Sequence, residues 1–190
     1  MSAEGVAADP MTAPTQAELD GRLFRATMHL EIDRCRELVA QGANVNAKGQ
    51  NGWAPLHSAT KTLLPKTCLT LIELGAHVDA TTVNGWTALH RSVIEGSEPV
   101  FELLLANGAN VQAKANTWDT PLHMACRHGR TAMCLTLLDA GADPHQPNDI
   151  HVSSIDMAIE KDHHDVVHAI SAWQARQQAR RALVDIGMAP

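Results

Sequence analysis

A fixed internal period constrains this chain more than any other feature. Ala54-Pro55-Leu56-His57-Ser58-Ala59, Thr87-Ala88-Leu89-His90-Arg91-Ser92 and Thr120-Pro121-Leu122-His123-Met124-Ala125 start 33 residues apart. One step forward reaches Ser153-Ser154-Ile155-Asp156-Met157-Ala158, and one step back reaches Gly21-Arg22-Leu23-Phe24-Arg25-Ala26. A second marker keeps the same phase: Gly42-Ala43, Gly75-Ala76, Gly108-Ala109 and Gly141-Ala142. Such a period means stacked supersecondary units, each burying its apolar face against its neighbours.

The unit that starts at Thr120 shows what each copy is built to do. Thr120 is suited to cap a helix, and Pro121 stands where a missing N–H costs nothing. Leu122, Met124, Ala125 and Cys126 give a short apolar face, and Gly129 suits a left-handed helix end. A second helix is predicted from about Thr131, with Met133, Cys134, Leu137 and Leu138 at helical spacing, ending at Gly141. Ala142 to Val152 is rich in Pro, Asn and Asp and reads as an extended finger with a turn at its tip. Helices of two or three turns are marginal alone, so stability must come from stacking.

These residues resemble the ankyrin repeat, whose signature is T-P-L-H-x-A on a 33-residue period. The resemblance covers roughly residues 18 to 174, with three well-formed central units and degenerate first and last units. It implies an all-α repeat solenoid of stacked helix-turn-helix units with β-hairpin-like fingers, which grips a protein or peptide through its concave face and fingertips. Residues 1–16 are then a flexible tail, 17–174 the repeat domain, and 175–190 a C-terminal helical extension and tail.

The departures from the pattern are specific. Ala54 and Ala88 break the Thr-Pro start of their units, while Leu30, Leu63 and Asp162 stand where Gly96 and Gly129 separate the paired helices. Asp156 replaces the signature His in the last unit. The run from Gln174 to Leu183 has high helix propensity and is read as a longer closing helix.

Charge narrows the function. Lys and Arg total 15 against 21 for Asp and Glu, a net charge of −6, which argues against a general phosphate-backbone binder. No apolar run approaches the roughly 20 residues that cross a bilayer. The start, Met1 to Gln16, has neither a basic opening nor an apolar block, so a soluble cytoplasmic protein is expected, with signal-less export as an open route.

Few residues suggest chemistry. Cys35, Cys68 and Cys134 share one repeat position, with Phe101 and Val167 in the other units, and read as small core residues, as does Cys126. The resemblance assigns His57, His90 and His123 a structural role, bonding neighbouring backbone. His163, His164 and His168 form the remaining cluster, but His164 and His168 lack a third ligand at a recognised spacing. A metal- or thiol-dependent activity there or at Cys126 is the enzymatic alternative. The expected reading is non-catalytic, with no cofactor and no metal.

The aromatic pattern is the best functional clue. Trp53, Trp86 and Trp118 lie just before an anchor, at the finger-to-helix junction, flanked by Asn51, Asn84, Asn116, Thr117 and Asp119. Ser58, Lys61, Arg91, Glu95, Met124, Arg127 and His128 of the first helices are expected on the same side. Trp and Arg dominate many protein–protein affinities. Trp118 stands where Asn51-Gly52-Trp53 and Asn84-Gly85-Trp86 have Gly, which marks it as the specificity residue. The expected partner is another protein, held by a monomer that acts as a regulator, inhibitor or exported effector. The apolar loop at Leu63 and Leu64 gives an alternative, a self-associating scaffold. Arg176, Arg180 and Arg181 read as a solvated basic face.

Overall fold

A computed structural model describes residues 13–185. Among them, helices come in five pairs: α1 (Gln16–Met28) with α2 (Ile32–Ala40), α3 (Pro55–Thr60) with α4 (Pro65–Glu73), α5 (Ala88–Glu95) with α6 (Glu98–Ala106), α7 (Pro121–Arg127) with α8 (Thr131–Asp139), and α9 (Ser154–Glu160) with α10 (His164–Asp185). The first helices α1, α3, α5, α7 and α9 pack in order as one row. The second helices α2, α4 and α6 pack in order beside it, and α10 closes the stack on α8 and α9.

One cluster of buried side chains runs between the rows, from Leu23 and Leu38 through Leu56, Leu71, Leu89, Leu104, Leu122 and Leu137 to Met157 and Ile170. The first four pairs each lend a Leu from both helices and the last lends Met157 and Ile170, so the core is continuous from unit to unit and each unit relies on its neighbours. The same register position is Cys126 in α7, fully buried, and Ile159 in α9, 53% exposed. Among the described residues, no further first helix packs over α9.

Turns between paired helices hold a left-handed residue in all five units: Leu30 (φ 62°), Leu63 (57°), Gly96 (70°), Gly129 (64°) and Asp162 (57°). Three of them are not glycine and bear that strain. Leu63 and Leu64 are exposed at this turn.

The fingers differ from expectation in detail. Each closes through a pair of turn hydrogen bonds, as Thr82 N–H to Trp86 O (2.9 Å) with Gly85 N–H to Thr82 O (3.0 Å), and Ala115 N–H to Asp119 O (2.9 Å) with Trp118 N–H to Ala115 O (2.9 Å), rather than through a hairpin ladder. The domain boundary expected at 174 falls inside α10, one helix of 22 residues whose buried side chains are Val166 and Ile170, near its start. Residues 1–12 of the expected tail, and 186–190, lie outside the described residues.

Candidate partner-binding surface

Three sets of contacts build the finger side. The first joins finger to finger. Val83 N–H donates to Asn51 O (3.0 Å), Asn116 N–H to Asn84 O (2.9 Å), and Asp149 N–H to Thr117 O (3.1 Å). Asn116 Nδ2 adds a bond to Val83 O (2.9 Å). These approaches explain the glycines: a Cβ on Gly85 would stand 2.8 Å from Asn116 N.

The second set ties fingers to helices through the signature histidines. His90 Nδ1 accepts from Thr87 N–H (3.2 Å) and from the Thr87 hydroxyl (2.9 Å), so Nε2 carries the proton and donates to Asp119 O of the next finger (3.1 Å). His57 reaches Trp86 O (3.0 Å) and His123 reaches Val152 O (3.2 Å) in the same way. Thr120 joins His123 in a capping box: Thr120 N–H donates to His123 Nδ1 (3.2 Å), and the Thr120 hydroxyl bonds the same nitrogen (2.9 Å). Burial pushes all three imidazoles below the usual histidine range, His90 to about 4, against the smaller opposing pull of the carbonyls at Nε2. In the last unit the described residues continue past α9 as α10 and hold no further finger. Asp156 suffices there, accepting from Ser153 N–H (3.1 Å) and from the Ser153 hydroxyl (2.6 Å).

The third set holds the tryptophans. Lys61 Nζ lies 4.8 Å and Arg91 Cζ 4.9 Å from the Trp53 ring centroid, so the ring meets a cation from each of two neighbouring units. Because Lys61 follows α3 and Arg91 stands on α5, fingers and first helices share one face. Arg91 also pairs with Glu95. Asn51, Trp53, Val83, Asn84, Trp86 and Arg91 line a cleft of about 350 Å³ on this face. Trp118 is 54% exposed, with Lys114 Nζ 5.3 Å from its ring centroid. Its backbone is left-handed (φ 58°), as at Gly52 (72°) and Gly85 (76°), but without glycine's freedom.

The repeat period, the helix pairs, and the histidine and finger bonds recur from unit to unit, and the ankyrin-repeat family model matches residues 23–115 and 68–148. The chain belongs to the ankyrin-repeat family. No curated protein matches it in sequence. Ankyrin repeats generally serve as protein–protein interaction modules and are typically non-catalytic.

Three residues expected on the open face of this ankyrin array are buried instead. Met124, 2% exposed, and Ser58 share a register position with Arg91. That position lies at the seam between first helices: a short or apolar side chain drops into the core, whereas the Arg stem reaches out over Trp53. Asp119, 5% exposed, accepts from Asn148 Nδ2 (2.9 Å) and from the Thr117 hydroxyl (3.0 Å), which makes it an inter-finger lock. Arg127 and His128 are exposed, as are Asn51, Asn84 and Asn116.

Lys114 is the residue that sequence reasoning missed. The signal was present, since Lys48 occupies the same register position two units earlier.

The other candidates for chemistry separate in space. His163 Nε2 bonds Arg127 O (3.1 Å), while His164 and His168 are exposed on α10. No three His, Cys, Asp or Glu residues among those described could share a metal ion. All four cysteines are free and buried, with Cys126 Sγ 3.8 Å from Cys134 Sγ. Burial raises the Cys68 thiol to about 12, and the Cys126 contact and burial raise Cys134. Among the described residues, no helix is long and apolar enough to cross a membrane.

Proposed function

We propose that this ankyrin array holds another protein through its finger side, using Trp53, Trp86 and Trp118, the fingertip Asn51, Asn84 and Asn116, and Arg91, Glu95, Arg127 and His128 of the first helices. The observation that carries the reading is Trp118. A large aromatic side chain stands more than half exposed, on strained backbone, at a position where two sister units use glycine. That choice costs backbone strain, and such strain accumulates where binding needs it. An exposed Trp beside a cation also matches the residues that dominate protein interfaces.

Affinity capture from the source organism, comparing wild type with Trp118→Gly, tests the surface. Glycine suits the backbone at this position, so the variant keeps its fold and loses only the indole. The expected result is recovery of a specific partner by wild type and its loss, or a drop of about tenfold, with the variant. Equal recovery by both proteins would refute this use of the surface.

A further inference from the structure

We infer that the finger side takes an acidic segment of the partner, with carboxylates at Lys61, Arg91 and Lys114 and apolar side chains against Trp86 and Trp118. The inference rests on the protein-binding reading and adds the chemistry of what is bound.

Charge divides the molecule by row. In the three central units, α4, α6 and α8 carry Glu73, Glu98, Glu102 and Asp139 against Lys66, with Arg130 at the N-cap of α8. The first-helix row of the same units carries Lys61, Arg91 and Arg127 against Glu95. The neighbouring fingers add Lys48 and Lys114, and also Asp79, Asp119, Asp143 and Asp149, of which Asp119 is buried as the inter-finger lock. At the Trp53 and Trp118 rings themselves the charges are Lys61, Arg91 and Lys114 against Glu95. Complementary potential of this kind selects partners and steers their approach.

The cations there are incompletely matched. Lys61 and Arg91 converge on the Trp53 ring, and Glu95 is the one carboxylate paired with them among the described residues. Arg91 Nη2 serves Glu95, but the adjacent Nε, buried beside the same cleft, has no hydrogen-bond partner among the described residues. A guanidinium N–H donates strongly to a carboxylate oxygen, so a second carboxylate entering the cleft supplies the acceptor for the Nε–H that Glu95 leaves open. Lys114 holds a further charge over Trp118, which sets a second anionic contact beside an apolar one. A nucleic acid would meet some of the same cations, but its continuous phosphate charge is opposed by the acidic second-helix row and the overall negative charge.

Panning a random peptide display library against the full chain identifies the preferred chemistry. Enriched sequences are expected to combine Asp or Glu with aromatic or aliphatic residues. A fluorescein-labelled synthetic copy, followed by anisotropy, should then bind about tenfold more weakly to Lys61→Gln/Arg91→Gln, less so to the exposed Lys114→Gln, and unchanged to Lys66→Gln on α4. Affinity should also fall as salt rises. Enrichment of basic or uncharged peptides, or indifference to the Lys61 and Arg91 changes, overturns the acidic specificity and leaves the protein-binding face standing. Enrichment that is equal on Trp118→Gly, or none at all, removes the face itself. Tighter binding of a single-stranded oligothymidine than of any enriched peptide overturns the choice of a protein partner.

Discussion

Acidification should unlock the array through its buried histidines, and His90 allows the size to be worked out. Its imidazole is fully buried between α5 and the next finger, and burial holds it at about 4. In the unfolded chain the same group titrates near 6.5. Above that pH both states are neutral and the group contributes no pH dependence. As pH falls below 6.5 the unfolded chain takes up a proton that the folded chain refuses, so stability is lost until the folded imidazole itself protonates near pH 4. Between pH 7.5 and 5 the loss from His90 is about 2 kcal/mol, and it approaches about 3 kcal/mol at pH 4. His57 and His123 are shifted in the same direction and add to it. The carboxylates that are lowered, Glu18, Asp156 and Asp165, titrate below this window. Urea unfolding followed by circular dichroism, at pH 7.5 and pH 5, compares wild type with His90→Gln. The variant should be less stable at pH 7.5, because Gln can accept from Thr87 N–H but cannot also bridge to Asp119 O across the seam as the imidazole does. It should nevertheless lose about 2 kcal/mol less on acidification. Equal losses in the two proteins would refute the claim that His90 is held neutral by its place between units.

Other outcomes follow from the same contacts. Trp118→Gly should be more stable than Trp118→Ala by about 1 kcal/mol in urea unfolding, since both lack the indole and only glycine relieves the left-handed backbone. Gly85→Ala should cost at least about 1 kcal/mol more than Gly108→Ala. Both positions have positive φ, but only at Gly85 does a Cβ meet the backbone of the next finger, while nothing lies within 4 Å at Gly108. The four thiols should react with a disulfide reagent only as fast as the protein opens, and all should react at once in guanidinium chloride, because each is buried and Cys35, Cys68 and Cys134 are raised. A rapidly labelled thiol in the folded protein would contradict that burial.

The period in the sequence determined which residues are equivalent and where helices start and stop, and the ankyrin resemblance carried by it implied that His57, His90 and His123 serve structure. Those features depend on local geometry repeated in each copy: a Pro at a helix start, a residue at positive φ, a His three places past the first residue of its anchor. Even the left-handed turns at Leu30, Leu63 and Asp162 were marked by the glycines at Gly96 and Gly129. Only the tertiary structure decided what equivalent residues do. Arg91 and Met124 share one register position, yet one reaches over Trp53 and the other joins the core. Trp86 and Asp119 share another, yet one lines a cleft and the other is buried as a lock on Asn148. Each outcome turns on side chains about one repeat away in sequence, across the seam between units. The period aligns those neighbours but is silent on their size and charge, and these set whether a position faces a partner or the core.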